Sequence, residues 1–461
     1  MSIIKAYTLP HPPLAIPSVG RGKEFLVEKT LSAFEKVSKE IAEIKPETII
    51  FITPHSILYS DYFHISPGGN AKGSFGRFGA AKEILTTIYD EELAYIIEGL
   101  AETESIYAGS QGEKDKNLDH GTTVPMWCIN KNFSDYKSLR ISQSGMSPAE
   151  HYRFGQVIAK AIEQLEQKTV IIASSDLSHK LQDDGPYGYA SEGAKFDSLV
   201  TDYISSGDFL SLLKIPGELR SEAGECGYNS LVILAGCLDR KNVDAELLSY
   251  EAPYGVGYAV ARFDVLGHSD ERNFLDKYLE FVDDMLKSIR NGEDEYQKLA
   301  RTSLEHIITT NEKPSVPNDL SHEMLGERAG VFVSLYINGA LQGCVGTIAP
   351  TTKSIAHEII QNAISAGLND NRFAPVSKSE LGQLTYKVDV LETPEPILSS
   401  NELDVKTYGV IVKSGKKRGL LLPNLEGINT PEEQIKIACQ KAKITSKENY
   451  TLERFKVTRH E

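Results

Sequence analysis

The chain has 461 residues, 41% hydrophobic and 25% charged, the composition of a folded globular protein whose length calls for roughly two to three domains. Its formal net charge of -15 argues against a nucleic-acid backbone or an anionic membrane as the main partner, because neither attracts an acidic surface. The opening MSIIKAYTLPHPP has no basic segment ahead of a long apolar run, and no stretch approaches roughly eighteen consecutive apolar residues, so a cytoplasmic protein without membrane spans is expected.

From residue 1 to about 265, strand-like apolar runs alternate with amphipathic stretches. IIKAYT, TIIFIT, SLRIS and TVIIAS read as strands, and helical patterns lie at 24–44, 148–166 and 222–238. AELLSYEA and GYAVARFDV, joined through PYG, predict an antiparallel hairpin at a sheet edge. This order predicts an α/β domain, 1–265, with a mostly parallel sheet covered by helices on both faces. A charged helical stretch, 266–290, predicts a connecting helix. Residues 291–461 then read as a smaller α+β domain. It opens with the helix EYQKLARTSLEHIIT, pairs GVFVSLYI with GCVGTI through the turn NGAL, and continues with a helix around SIAHEIIQNAISAG and the strand TYKVDVLE. A hairpin from YGVIVKS to LLLPN follows, and the helix PEEQIKIACQKA ends the predicted core.

Three of the eleven histidines end strands: His11 after IIKAYTLPH, His55 after ETIIFITPH and His179 after TVIIASSDLSH. Groups just beyond the carboxyl ends of parallel strands converge on one crevice, where ligands bind. Imidazole is both the commonest metal ligand and the commonest acid/base at neutral pH, so these positions predict a shared site. His120, in NLDHGTTVPMW, is a fourth candidate, behind an Asp119 that could orient an imidazole or simply cap a helix. EAGECGYNSL puts Glu225 and Cys226 at the start of an apolar helix. Glu225 would complete two histidines and one carboxylate, the facial set that leaves positions open on Fe(II); Cys226 is the rival third ligand and would favour softer ions. Glu251, a further carboxylate, ranks below Glu225 because it sits between edge strands. The five cysteines are odd in number and include no CxxC pair, so each reads as a reduced thiol.

LPHPPL, TPHS, LDHGTTVPMW, SSDLSH and the helix opened by Glu225 and Cys226 resemble, in this order, the catalytic subunit of class III extradiol ring-cleavage dioxygenases and the related Memo family. The resemblance covers about residues 1–265. It implies a non-haem Fe(II) enzyme in which His11, His55 and Glu225 hold the metal, His179 is the acid/base and His120 contacts a small aromatic or phenolic substrate. The Memo pattern instead implies a cysteine ligand, matching Cys226 in ECG, and a metal-binding or redox role without ring cleavage. Zinc, manganese and copper stay open beside iron, and the superfamily resemblance suggests a homodimer.

GVFVSLYINGALQGCVGTIAP, RFAPVSKSELGQLTYKVDVLETPEPI and YGVIVKSGKKRGLLLPN resemble the AMMECR family across about residues 294–461. LQGCVG has Gln342 where many members carry arginine, so a role for that arginine does not transfer. Cys344 reads as a small core residue or as a reactive thiol, and Arg372 as a contact for an anionic ligand or partner. The two-domain pairing resembles the AmmeMemoRadiSam system, which implies a separate radical SAM protein as partner. An interaction scaffold, recruiting through the acidic surface and the AMMECR-like domain, is the remaining alternative.

Overall fold

A computed structural model describes residues 2–113, 115–337, 339–378, 380–425, 428–445 and 448–461. The chain divides into two compact units, Met1–Val282 and Asp283–Glu461.

In the first unit the strands β1 (Ile3–Leu9) and β2 (Thr48–Thr53) flank helix α1 (Glu28–Ile44). A hairpin, β3 (Asn70–Phe75) and β4 (Ala80–Ile88), leads to α2 (Glu91–Thr103), α3 (His120–Asn130) and β5 (Lys137–Ser142). Then come α4 (Pro148–Leu165), β6 (Thr169–Ser174), α5 (Ser191–Ser206), α6 (Gly217–Ala223), α7 (Tyr228–Cys237), β7 (Lys241–Glu251) and β8 (Tyr258–His268). The main sheet has the order β5-β2-β6-β1-β8-β7. Its first four strands are parallel. β8 runs antiparallel to β1, and the β7–β8 hairpin closes that edge.

The parallel strands are apolar throughout because both faces are covered. Successive residues alternate between two cores: Ala6, Ile50, Ile52, Ile171 and Ala173 face one, with Phe154 of α4 and Leu231 of α7. Tyr7, Ile49, Phe51, Val170 and Ile172 face the other, against Phe34, Val37 and Ile41 of α1. That spacing on α1 is the helical repeat that makes one apolar face. Helix α4 starts at a capping box, in which Ser147 and Glu150 meet each other's backbone N–H, with Pro148 at the first helical position.

Two predicted boundaries change. The helix expected at 222–238 is two helices, α6 and α7, separated by Gly224–Gly227. Strand β8 continues to His268, and the connecting helix, α8, spans Phe274–Gly292 rather than 266–290.

In the second unit, α9 (Glu295–Thr310) precedes β9 (Gly330–Ile337), β10 (Ala340–Gly346), α10 (Ile355–Leu368) and β11 (Leu384–Leu391). β12 (Glu395–Ile397), β13 (Gly409–Ser414), β14 (Lys417–Leu421), α11 (Pro431–Lys441), β15 (Thr451–Phe455) and β16 (Val457–His460) complete it. They form two antiparallel four-stranded sheets, β10-β9-β11-β16 and β12-β15-β13-β14. The strands after α11 extend the core beyond its predicted end. Asn338 of the predicted turn NGAL lies outside the described residues.

Candidate metal centre

The C-terminal ends of β1, β2 and β6 are level: Leu9 pairs with Ser174 and Ile52 with Ala173. The next residues of all three strands therefore enter one crevice. His11 is 1% exposed, and its ring is fixed by a contact of 2.9 Å between Nδ1 and Ser174 Oγ, the hydroxyl that also donates to the Gly121 carbonyl. Its backbone N–H donates to Asp176 Oδ1 at 2.8 Å. Its other nitrogen, Nε2, faces His55 Nε2 at 2.9 Å and Cys226 Sγ at 3.6 Å. The ligand atoms of His11, His55 and Cys226 all lie within 4.8 Å of one another.

His120 begins α3, and Asp119, as its cap, accepts the Thr122 N–H. The His120 ring stacks on His55 with centroids 4.2 Å apart, and meets His11 edge-on at 5.3 Å. The charge of His179 acts on His11, and that of His55 acts on His179. Its Nε2 is shielded from solvent and has no hydrogen-bond partner among the described residues. Four predicted histidines thus share one crevice.

Glu225 takes a different course. Its carboxylate accepts the Tyr228 N–H at 2.7 Å, in the first turn of α7, and it is outside the convergent donor group. The expected triad of His11, His55 and Glu225 is therefore corrected in geometry. The break between α6 and α7 sends Glu225 to the helix start and its neighbour Cys226 to the imidazoles. Gly227 makes the close approach feasible, since a Cβ there would stand 2.3 Å from the Ser175 Cβ. Gly121 is likewise required, because a Cβ would meet Thr53 Oγ1 at 2.4 Å. Glu251 accepts from the Thr30 backbone and hydroxyl, 2.7 and 2.6 Å away, consistent with its low rank.

Burial dominates the electrostatics of the crevice and keeps its imidazoles and thiol in their neutral forms. Burial, followed by the neighbouring imidazoles, pushes His11 well below its ordinary value. Burial also lowers His55 and His179, each to about 4, and lowers His120. Cys226 is held well above its usual value by burial, then by Asp176 and Glu225. Burial raises Asp176 to about 7. Neutral imidazoles offer lone pairs, and a thiol so placed ionises when a metal takes the proton's place. A tetrahedral ion with bonds of about 2.0–2.1 Å to nitrogen and 2.3 Å to sulfur separates N from S by about 3.6 Å. The donor set fits a metal ion, and the His11–Cys226 separation already has this spacing.

His55, His120, Arg77, Phe78, Leu118 and Arg140 line an adjoining cavity of about 760 Å³, roofed by the β3–β4 hairpin. A larger groove, about 1000 Å³, passes Glu47, Lys137 and Gln167 at the other end of the strands and gathers neither imidazole nor thiol. Reading by strand ends missed Ser174, Asp176, Gln143 and Arg140. Gln143 Nε2 donates to the Cys226 carbonyl at 2.9 Å, which fixes the loop carrying the thiol.

Residues 5–261, more than half of the chain, match the family model described as the catalytic LigB subunit of aromatic ring-opening dioxygenase. The chain belongs to this family. Residues 297–460 match the AMMECR1 model, so the LigB-like domain is fused to an AMMECR domain. A Clostridium acetobutylicum protein is 44% identical across 100% of this chain and 99% of its own length. A Thermotoga maritima protein is 42% identical over 36% of this chain and 99% of its own. Among solved structures, an uncharacterized Pyrococcus horikoshii protein is similar at 30% identity, covering 36% of this chain and 88% of its own, with a TM-score of 0.33.

In the AMMECR domain, Cys344 Sγ accepts the Ser334 hydroxyl at 3.2 Å. Arg372 is engaged by Asp370 and donates to the Cys344 carbonyl at 2.9 Å. No helix among the described residues is long and apolar enough to cross a membrane.

Proposed function

We propose that the LigB-like domain is an Fe(II)-dependent oxidoreductase acting on a small phenolic substrate, with His11, His55 and Cys226 as metal ligands. One observation carries this reading: two imidazole nitrogens and one thiol converge within 4.8 Å, beside a cavity large enough for a small aromatic ring. When bound, the ion supplies Lewis acidity and a template that aligns two reactants. His120, stacked on His55 and lining the cavity, contacts the substrate ring. His179, uncharged at neutral pH because burial lowers it to about 4, takes the proton from a substrate hydroxyl at Nε2, the nitrogen without a partner. The hairpin residue Phe78, whose ring is 5.4 Å from that of His120, lines the same cavity and offers an apolar face to the substrate.

A second reading is a Memo-like redox protein that works with a radical SAM partner without ring cleavage. The thiol in place of a carboxylate favours it, since sulfur suits redox-active and softer ions. Metal analysis of anaerobically purified protein, followed by oxygen uptake with catechol and 3,4-dihydroxybenzoate, separates the two. About one iron per chain with catechol-dependent uptake supports the first; full iron without uptake supports the second. His179→Ala is expected to keep the metal and lose turnover, and normal turnover by that variant would remove His179 from the mechanism.

A further inference from the structure

Arg140 stands on β5, and only 2% of its side chain is exposed. Such a guanidinium persists where its N–H groups find acceptors. Nε donates to Ser66 Oγ at 2.6 Å, Nη1 to the Asn117 carbonyl at 2.7 Å and Nη2 to Glu113 Oε1 at 2.6 Å. Nη1 is also 3.6 Å from Asp119 Oδ2. Three of these four partners belong to the segment from Glu113 to Asp119, which leads directly into His120.

Asp119 joins this buried cation to the crevice. Its Oδ1 accepts the Thr53 hydroxyl at 2.6 Å and the Thr122 N–H at 3.1 Å, while Oδ2 accepts the Thr122 hydroxyl at 3.0 Å. Thr53 Oγ1 in turn accepts the His55 backbone N–H at 3.2 Å. One carboxylate therefore holds the start of the helix that opens with His120 and the strand end that presents His55. None of the hydrogen bonds of Arg140 reaches a proposed metal donor.

We propose that Arg140 is a positioning residue that sets the orientation of His55 and His120 through the relay Arg140–Asp119–Thr53–His55. The proposal rests on the metal reading above. A metal site tolerates little displacement of its donors, and outer partners that orient ligands typically contribute about 10–100-fold in metal affinity. The planar fork of arginine suits this task, because it meets Glu113, Asn117 and Asp119 from one rigid group.

The test is titration of the full-length, metal-free protein with Co(II), with affinity read from the visible absorption and folding checked by circular dichroism. Arg140→Gln and Thr53→Val are each expected to weaken Co(II) binding about 10–100-fold. The double variant is expected to be no weaker than the worse single, because both changes cut one path. A purely structural role would instead give losses that multiply, and that result overturns the proposal, as does an Arg140→Gln protein that binds Co(II) like wild type. If Arg140→Gln does not fold, Asp119→Asn serves in its place, since asparagine keeps the helix cap and the Thr53 acceptor but offers the guanidinium no charge. Weakened binding by Asp119→Asn supports the relay, and unchanged binding overturns it. Failure of the wild type to bind Co(II) overturns the metal reading together with this inference, whereas tight wild-type binding unaffected by Arg140→Gln overturns the inference alone.

Discussion

Both units hold partly exposed cysteines, Cys226 in the first and Cys344 and Cys439 in the second, yet among the described residues only Cys226 gathers metal donors. In the first unit β2, β6 and β1 run in the same direction, so three consecutive strand ends deliver His55, His179 and His11 to one crevice. In the second, β9, β10 and β11 are antiparallel and send successive ends to opposite sides. Cys344 lies on the edge strand β10, where its Sγ accepts the Ser334 hydroxyl and faces the Arg372 guanidinium rather than imidazoles. Two of that unit's four imidazoles are engaged elsewhere, His357 with Ser354 and His460 with Asp294. A thiol becomes a candidate ligand where chain direction converges, and its residue type alone does not make it one.

The sharpest way to break this contrast is to remove one donor from each unit. His11→Ala is expected to reduce bound metal from about one ion per chain to almost none, while Cys344→Ala leaves it unchanged. Metal retained by His11→Ala, or lost from Cys344→Ala, would dissolve the distinction.

The next effect is on stability and comes from the support beneath the crevice. Asp197 accepts the Ser178 N–H and the Tyr250 hydroxyl, and burial raises it from its ordinary value to about 7. Its folded-state value is above the unfolded one, so the stabilising effect of its proton is complete below about pH 4 and is lost as pH rises to about 7. At about 1.4 kcal/mol per unit, the loss is at most about 4 kcal/mol. Asp197→Asn should gain on wild type in urea denaturation as pH rises from 4 to 8; parallel pH curves for the two proteins would contradict this.

Smaller still is Glu225→Ala, which leaves the Tyr228 N–H without its acceptor and is expected to cost about 1–3 kcal/mol while metal content stays constant. Loss of metal from this variant would return Glu225 to the ligand set. The smallest effect is expected at Arg372, whose side chain is 55% exposed. Arg372→Ala should cost about 0–1 kcal/mol and leave metal binding intact.

The strand ends were legible because parallel buried strands carry largely apolar runs, and three of the four runs here, all but SLRIS, stop within a few residues of a histidine. The fate of Glu225 and Cys226 was not. Gly224 and Gly227 mark a break inside 222–238 but not how the chain turns there, and that turn decides which of two adjacent side chains faces the imidazoles. The hairpin β3–β4 hides as well, because its inward positions include Ala71 and Gly73, too small to give an apolar alternation. Arg140 falls inside SLRIS, where a lone charge looks like a solvent-facing strand residue; its partners Ser66 and Glu113 are remote in sequence. Likewise β15 and β16 are short, charged and partly exposed, so only their pairing with β13 and β11 reveals them.

The most direct test is X-ray absorption on zinc-loaded protein. The account predicts one sulfur at about 2.3 Å together with nitrogen donors at about 2.0–2.1 Å, and loss of the sulfur contribution in Cys226→Ala. A first shell of nitrogen and oxygen alone in the wild type would contradict it.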